Sequence, residues 1–214
     1  METGPDRVIA CPQCGEPALV QTLYSGNTFG AREWTDGKMV APMLPEPPLI
    51  TRCKKCRSFY WLADAKEIGE HTPDNTDKWK DTAYAAQLSE AECLEAINVG
   101  AANSKEREAV LRVLAWRAGN DEFRSGWQGA DKQDPVGYKR SPEAEKNLEV
   151  LLGMLDKSDP SQRLMQAEIL RELERFDESL QVLASDFPRE YEDIVSFIRS
   201  LALEMDSVVR LISP

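Results

Sequence analysis

From residue 89 onwards, apolar residues recur every three or four positions, as they do on one face of an α-helix. Capping signals divide this stretch into six predicted helices. They open at Ser89, Ser104, Ser141-Pro142, Asp159-Pro160, Asp177 and just after Pro188, and the first two end near Gly100 and Gly119. Glu92 follows Ser89 by three positions and completes a capping box. The pattern predicts helices that pack through their apolar faces.

The first 62 residues carry strand and turn signals instead. Residues 18–24 form a predicted strand, and residues 28–35 and 38–41 flank Asp36-Gly37, a pair typical of a two-residue hairpin turn. The prolines of residues 42–48 favour an extended chain over a central strand. We therefore predict a small antiparallel sheet.

Residues 64–86 are polar and without a period, which predicts a short helical turn and a linking loop. Trp79 and Tyr84 are expected to anchor this loop on a core. The whole chain is predicted to be α+β. Residues 1–62 form a small β domain, residues 63–88 a linking segment and residues 89–214 an all-α domain.

Composition and charge narrow the class of protein. Apolar residues make up 42% of the chain and charged residues 29%, which is ordinary for a soluble protein. Residues 1–62 carry a net charge of +1 and residues 63–214 a net charge of −12. The acidic part would repel phosphate. It is interpreted as a solvated helical surface, with a basic protein partner as the alternative.

No apolar run is long enough to span a bilayer. The chain begins METGPDRVIACPQC, without a basic start followed by an apolar stretch. This predicts no signal peptide, no membrane association and a reducing, cytoplasmic location.

Four cysteines form two Cys-x-x-Cys pairs, Cys11 with Cys14 and Cys53 with Cys56, and 38 residues separate the pairs. Disulfides are typical of secreted chains, and a thioredoxin-like pair lies between a strand and a helix, so neither interpretation fits. Two such pairs supply the four sulfur ligands of tetrahedral zinc. Gly15 suits the tight turn after Cys14. The pattern predicts one structural zinc ion per chain.

Residues 8–62 resemble a four-cysteine zinc ribbon. The resemblance rests on the two Cys-x-x-Cys knuckles and on the β spacer between them. Zinc ribbons occur in nucleic-acid-binding, ribosomal and transcription proteins and as structural clips, so the resemblance implies a metal site without fixing a function. A sheet this small has little core, and metal binding should supply much of its folding energy.

No catalytic residue and no site for an organic cofactor are predicted. Four thiolates close a zinc site, whereas catalytic zinc keeps a coordination position open. The one histidine, His71, is expected to be an exposed loop residue, because it has no partner pattern. The fifth cysteine, Cys93, is expected to be a small buried residue within a helix.

The second knuckle is basic and aromatic, and it permits two interpretations. Its residues are Arg52, Lys54, Lys55, Arg57, Phe59, Tyr60 and Trp61. Such a mixture can bind single-stranded nucleic acid through phosphate pairing and base stacking. Alternatively, the cations offset the charge of a zinc–thiolate centre and the aromatics pack the ribbon onto the helices. The second interpretation is favoured because the rest of the chain is acidic.

The stretch AEILRELERFDESLQVL resembles the middle of a tetratricopeptide repeat. Ala167, Leu170, Phe176, Ser179 and Leu180 match its small and large packing positions. A short turn at residues 174–175 would join two antiparallel helices. The spacing of a regular array is missing, so the resemblance implies a degenerate tetratricopeptide-like domain. Repeats of this kind usually bind peptides or proteins.

Polar and aromatic residues also gather in the stretch WRAGNDEFRSGW. They are Trp116, Arg117, Asn120, Asp121, Arg124 and Trp127. A binding site could look like this. The simpler interpretation is a helix end at Gly119, an N-cap at Asn120 and two buried tryptophans.

These observations predict a non-enzymatic, zinc-containing adaptor that binds another protein through its helical domain. One alternative is a nucleic-acid-binding protein that uses the second knuckle. Another is an enzyme with an unrecognised acidic site.

Overall fold

The computed structural model describes residues 1–72, 76–125 and 139–213. The fold is α+β, with small antiparallel sheets near the N-terminus and helices in the C-terminal part, as predicted. The chain forms two compact units. Unit 1 comprises Met1–Ala31 and Val40–Asn103, and unit 2 comprises Arg32–Met39 and Ser104–Pro214.

Unit 1 contains most of the strands. They are β1 (Glu2–Thr3), β2 (Asp6–Ala10), β3 (Pro17–Val20), β4 (Leu23–Ser25), β7 (Ile50–Arg52), β8 (Phe59–Trp61) and β9 (Lys66–His71). Strand β1 pairs with β4, and β7 pairs with β8. The order β3-β2-β9 forms a three-stranded antiparallel sheet. The strand predicted over residues 18–24 is therefore two strands, β3 and β4.

Strand β9 corrects the prediction of a loop after residue 64. A short 3₁₀ turn (Leu62–Asp64) is present as predicted. The residues that follow, Lys66–His71, are not a loop but a strand that pairs antiparallel with all of β2. Val8 and Ile9 of β2 are buried, so this strand needs a partner on both edges. The sequence KEIGEH is polar because much of β9 is exposed, and its polarity hid the strand.

The segment after β9 is held by backbone hydrogen bonds. It contains the short helix α1 (Thr76–Trp79), and Leu19 bonds to the backbone of both Ala83 and Ala85. Trp79 packs against Gly69, where a Cβ would lie 3.3 Å from the indole ring. The ring of Tyr84 is half exposed, so the prediction that it anchors on a core is wrong.

Helix α2 (Glu90–Asn98) completes unit 1 and begins as predicted. The side chain of Ser89 accepts a hydrogen bond from the amide of Glu92, and the capping box is complete. Cys93 is fully buried, as expected. The indole of Trp61 donates to the carbonyl of Ala101 at 2.8 Å, so an aromatic residue of the second knuckle is fixed to the segment after α2.

Unit 2 contains the other helices. They are α3 (Lys105–Gly119), α4 (Asp121–Ser125), α5 (Pro142–Met154), α6 (Pro160–Glu172), α7 (Phe176–Leu183) and α8 (Glu192–Leu203), with a 3₁₀ turn (Arg189–Tyr191) before α8. Ser104, Ser141 and Asp159 cap α3, α5 and α6 as predicted. With α2, five of these helices account for the six predicted ones, and α4 is additional.

Helices α6 and α7 form a hairpin, and Glu174 turns the chain with a positive φ of 60°. Ala167 is fully buried in a cluster with Leu183, Val195 and Ile198, which joins α8 to the hairpin. The Ser179 hydroxyl donates to the carbonyl of Ala167 at 2.8 Å. The small residues of the two helices therefore meet where the backbones approach.

The prediction that residues 89–214 are all-helical is wrong. Strand β10 (Leu211–Ser213) pairs antiparallel with β5 (Arg32–Trp34), and the Asp36-Gly37 turn then leads to β6 (Met39–Val40). Gly37 has a positive φ of 71° but Asp36 does not, and the amide of Trp34 donates to the carbonyl of Lys38 at 3.0 Å. The hairpin therefore has a three-residue loop over residues 35–37, which corrects the predicted two-residue turn. The short run before the C-terminus carries no strong strand signal, because its partner lies far away in sequence.

The units also divide the chain differently from the predicted ranges 1–62, 63–88 and 89–214. Residues 32–39 belong to unit 2 because β5 pairs with β10. Residues 63–103 belong to unit 1 because β9 pairs with β2 and Trp61 bonds to Ala101. In the part of the chain that the structure describes, no helix has both the length and the apolarity needed to cross a membrane.

Candidate metal centre

The two Cys-x-x-Cys pairs fold into matching turns. In the first, the amide of Cys11 donates to the carbonyl of Glu16 and the amide of Gly15 donates to the carbonyl of Cys11, both at 2.8 Å. In the second, the amide of Cys53 donates to the carbonyl of Ser58 at 2.9 Å and the amide of Arg57 donates to the carbonyl of Cys53 at 3.0 Å, which is the same pattern. Each turn joins two antiparallel strands, β2 to β3 and β7 to β8.

Both turns need one residue in the left-handed region, directly after the second cysteine. Gly15 has a φ of 74°, as predicted, and Arg57 has a φ of 64° at the matching position. Glycine adopts this conformation without steric cost, whereas a residue with a Cβ does so at about 1–2 kcal/mol. The two turns therefore have the same backbone geometry, as expected of two knuckles that bind one ion.

The four sulfurs converge. The Sγ of Cys11 lies 3.8 Å from that of Cys56, and the Sγ of Cys14 lies 3.6 Å from that of Cys53. All four Sγ atoms lie within 4.8 Å of one another. A tetrahedron of sulfurs around zinc, with Zn–S bonds of about 2.3 Å, has S–S distances of about 3.8 Å. The cluster is therefore positioned to hold one metal ion.

The two pairs are arranged alike with respect to solvent. Cys11 and Cys53, the first residue of each pair, are buried in a core cluster with Ile9, Val20 and Tyr60. Cys14 and Cys56 are exposed. An ion held by these thiols would lie at the edge of the core of unit 1 and join its two β-hairpins.

The thiols influence one another. Hydrogen bonds with the side chain and backbone of Ser58 lower the pKa of Cys56 to about 6. The backbone at Glu16 lowers the pKa of Cys14, but desolvation and the neighbouring thiols outweigh this effect and raise it to about 12. Four thiolates this close repel one another, and a divalent cation is the group that would stabilise them together.

Two further contacts surround the cluster. The Ser58 Oγ lies 3.0 Å from the Sγ of Cys56 and 3.7 Å from that of Cys11. Lys55 of the second turn forms an ion pair with Glu16 of the first at 3.2 Å. Among the described residues, the metal-ligating group consists of the four cysteines alone.

The structure distributes the basic and aromatic residues of the second knuckle over several contacts. Arg52 makes a bidentate pair with Glu95 at 2.9 and 2.7 Å and stacks on the ring of Phe59. Tyr60 and Trp61 are buried. The aromatics Tyr60 and Trp61 therefore pack within unit 1, as the favoured interpretation expected of them. Its cations differ from that interpretation, because Arg52 and Lys55 pair with carboxylates and Lys54 lines a cavity described below.

His71 is not an exposed loop residue, which corrects the prediction. It ends strand β9, and its Nδ1 lies 3.7 Å from a carboxylate oxygen of Asp6. Its Nε2 is buried and has no hydrogen-bond partner among the described residues. The sequence analysis did not predict strand β9, and for that reason it did not predict the burial of His71.

The stretch around Trp116 contributes to a buried polar network in unit 2. The α3 helix ends at Gly119 and Trp116 is buried, as the simpler interpretation predicted. Asn120, however, is fully buried, and its amide donates to Asp36 at 3.0 Å and to Glu172 at 3.2 Å. Asn120 also directly precedes α4, at the predicted N-cap position, and the amide of Phe123 donates to its carbonyl at 3.1 Å. Trp127 lies outside the described residues.

Charged groups complete this network. Asp36 accepts from Arg124, and Glu172 accepts from the indole of Trp116 at 2.8 Å and from Arg140. Burial raises the pKa of the Glu172 carboxyl, the Arg140 guanidinium opposes this rise, and the neighbouring carboxylates add to it. The hydrogen bonds that Glu172 accepts suit its ionised form.

A second buried pair lies on the same helix. Arg171 is fully buried, binds both carboxylate oxygens of Glu168 and donates to the carbonyl oxygens of Asp206 and Val208. It thereby fixes the chain after α8. The sequence pattern does not predict the burial of these residues, because charged residues of an amphipathic helix are expected to face solvent. The available signal was the run of charges at positions 168, 171 and 172, within one turn of each other.

Comparisons of the chain with models of protein families, with curated proteins and with solved structures gave no match. Function is therefore inferred from the cysteine cluster and from the surfaces of the two units.

Proposed function

We propose that the protein is a non-enzymatic adaptor in which Cys11, Cys14, Cys53 and Cys56 bind one structural zinc ion. The convergence of the four sulfurs within 4.8 Å supports the metal site. Zinc is favoured because it takes four thiolates in a tetrahedral arrangement without redox chemistry. Four thiolates fill its coordination sphere, which leaves no position for a substrate and supports a structural role.

A groove on unit 2 supports the second half of the proposal, the binding of another protein. We call it the α7–α8 groove, and its apolar lining includes Phe176, Leu180, Leu203 and Met205. Its volume is about 420 Å³. Leu203 and Met205 are 67% and 71% exposed, although they are large apolar residues that proteins normally bury. This exposed pair is the observation that carries the adaptor function.

The charge around the groove indicates what kind of partner fits. Glu174, Asp177 and Glu178 line it. Among the described residues, Arg175 is the one basic side chain in its lining, and it is already paired with Glu178 and Glu149. A partner with apolar side chains flanked by lysine or arginine would complement this surface. We therefore propose a basic amphipathic segment as the occupant.

The resemblance to a tetratricopeptide repeat agrees with this proposal. The α6–α7 hairpin brings Ala167 and Ser179 together at a close backbone approach, as small residues do in such a repeat. Helical hairpins of this type usually present a surface for peptides. We propose that α6, α7 and α8 form a degenerate unit of this kind.

The test compares groove variants in affinity capture from the native cell, followed by mass spectrometry. Leu203→Asp and Met205→Asp introduce a charge into the groove. Val99→Asp is the matched control, because Val99 is 65% exposed and lies in unit 1. Both groove variants should lose a partner that the wild type and Val99→Asp retain, and the purified partner should bind directly through a basic segment. A partner kept by all four proteins would show that the groove is not its site.

The nucleic-acid alternative has less support. Arg52 and Lys55 are paired with carboxylates, which leaves fewer cations for a phosphate backbone. An enzyme with an acidic site remains the third hypothesis, and the partners of the buried acids Asp36, Glu168 and Glu172 favour a structural role for them.

A further inference from the structure

A cavity beside the second cysteine turn has a chemical character of its own. We call it the knuckle cavity, and its volume is about 310 Å³. Its lining includes Arg52, Lys54 and Tyr60 from the second cysteine turn and its strand, and Lys78, Lys80 and Tyr84 from a later segment. Both segments belong to unit 1. The cavity is thus formed by the second cysteine turn together with a segment about 25 positions later in the sequence.

The cavity is formed by fixed backbone. The segment that carries Lys80 and Tyr84 is held by Leu19, whose amide donates to the Ala83 carbonyl at 2.9 Å and whose carbonyl accepts from Ala85 at 2.8 Å. The segment that carries Arg52, Lys54 and Tyr60 is held by the β7–β8 pairing. A site formed in advance binds without a cost for ordering its walls.

The lining is basic. Among the described residues, four cations line the cavity together with two acids, Glu16 and Asp81, and the metal-ligating Cys53. Glu16 is paired with Lys55, which does not line the cavity, so this carboxylate is already neutralised. Lys54 and Lys80 have no ion pair among the described residues, whereas Arg52 is paired with Glu95. Two lysines are therefore available for an anionic ligand.

Tyr60 adds an uncharged polar group to the cavity lining. It is 93% buried, since its exposed fraction is 7%, and it lines the cavity. In the part of the chain that the structure describes, its hydroxyl has no hydrogen-bond partner. The hydroxyl is therefore free to donate a hydrogen bond to a ligand oxygen in the cavity.

We infer that the knuckle cavity binds the phosphoryl group of a small phosphorylated molecule. Lys54 and Lys80 would supply the charge, and the Tyr60 hydroxyl would donate a hydrogen bond to a phosphate oxygen. The ring of Tyr84, which is 52% exposed at the rim, offers an apolar face for the organic part of the ligand. The site is separate from the α7–α8 groove and does not depend on the adaptor function.

Size and charge favour a small ligand over a nucleic-acid chain. The cavity volume is at the lower end of the range for small-molecule sites. A polyanion would extend beyond the cavity, and residues 63–214 carry a net charge of −12 that would repel it. A single phosphoryl group needs only the local cations.

The test is a titration of the full zinc-loaded chain followed by the backbone amide signals in NMR. Inorganic phosphate, a nucleoside monophosphate and a mixed-sequence oligonucleotide are added in separate experiments. Saturable shifts are expected for residues 51–54, 60 and 78–85, with the monophosphate binding more tightly than phosphate alone. Tyr60→Phe should weaken binding about tenfold, because it removes one charge-assisted hydrogen bond and keeps the ring.

Lys80→Gln should weaken binding several-fold without touching the cysteine turn. Lys66→Gln is its matched control, because Lys66 is an exposed lysine of unit 1 outside the cavity lining, and binding should be unchanged. Zinc content is measured for every variant to show that the turns are intact. No saturable shift, or equal weakening by the two lysine variants, would overturn the inference. Tighter binding of the oligonucleotide than of the monophosphate would replace it with nucleic-acid binding.

Discussion

Arg57 occupies the position at which the first cysteine turn has Gly15, and both have a positive φ. The sequence predicts this conformation only for the glycine, because arginine at a left-handed position has no signal of its own. The four ligands themselves are identifiable from their spacing, since two Cys-x-x-Cys pairs match the ligand set of a single ion. The burial of Asp36 and Glu172 was not identifiable, because it depends on partners remote in sequence.

The first prediction concerns the ligands. The purified chain should contain close to one zinc ion, and Cys53→Ser should lose it because three thiolates bind zinc far less tightly. Cys93→Ser is the control and should keep the metal, since Cys93 is not part of the cluster. Elemental analysis measures both. Full retention of zinc by a Cys14→Ser/Cys53→Ser variant would refute the site.

The second prediction concerns Arg140 and Glu172. Since the pKa of Glu172 is raised in the folded state, its contribution to the free energy of unfolding is fully present below the unfolded carboxyl pKa of about 4.3 and is lost as pH rises through the folded value. Arg140 holds that pKa down. The folded pKa of Glu172 is about 8, so the comparison needs a pH above this value. Arg140→Met should destabilise the protein more at about pH 9.5, where Glu172 is ionised beside Arg140, than at about pH 5, where the carboxyl is protonated with or without Arg140, by up to about 2 kcal/mol.

Urea unfolding at both pH values measures this effect. In the Glu172→Gln background, Arg140→Met should have the same effect at both pH values, because the titrating carboxyl is gone. An equal loss at both pH values in the wild-type background would mean that Arg140 does not control the charge of Glu172.

At the scale of elements, helices were easier to predict than strands. Ser89, Ser104, Ser141 and Asp159 mark four helix starts through local capping chemistry, and each cap is present. Strand β9 has no such local mark, because its pairing with β2 decides its conformation and its exposed face is polar. Local hydrogen bonds can be read from neighbours in sequence, whereas a sheet partner cannot.

The third prediction tests the α6–α7 hairpin. Ala167→Leu should lower the free energy of unfolding by roughly 1–3 kcal/mol, because Ala167 is fully buried at the crossing and the added carbons have no space. Ala184→Leu is the control, since Ala184 is exposed at the end of α7 and should change stability little. Thermal or urea unfolding gives both values. Equal stability of Ala167→Leu and wild type would contradict the close packing of this hairpin.

At the scale of the whole molecule, the sequence shows how charge is distributed along the chain, but it did not predict how the chain divides into two units. Residues 32–39 lie within the N-terminal sequence yet belong to unit 2, and residues 63–103 belong to unit 1. The sequence boundaries followed changes in pattern, whereas the units follow pairing between remote segments. The functional surfaces consequently had to be found on the structure: Leu203 and Met205 look like the end of an ordinary amphipathic helix in the sequence.

The fourth prediction concerns metal removal. Chelation should increase hydrogen exchange in β2, β3, β7 and β8, because the two cysteine turns connect these strands and unit 1 has a small core. Helices α6–α8 of unit 2 should keep their protection. Hydrogen exchange followed by mass spectrometry measures the strands of unit 1 and the helices of unit 2 separately. Adding zinc back should restore the protection of the strands. Equal loss of protection in both units would show that the metal is not a local clip.

The fifth prediction concerns nucleic acid. Binding of mixed oligonucleotides at physiological salt should be weaker than about 10⁻⁴ M, the weak end of non-specific affinity. The acidic excess of residues 63–214 is the reason. Fluorescence anisotropy at two salt concentrations measures it. A micromolar complex that weakens steeply with salt and with Lys54→Glu would favour the nucleic-acid alternative.

The pairing of β5 with β10 has a consequence for the order in which the protein folds during synthesis. The hydrogen bond from the Arg210 amide to the Thr35 hydroxyl spans 175 positions. At about 5–20 residues per second, the partner of β5 is translated roughly 10–35 seconds after it. All residues of unit 1 are translated before residue 104, so the metal can close that unit while residues 32–39 remain an unpaired insertion within it. Unit 2 is completed last, when the C-terminal strand reaches a partner made near the beginning of the chain.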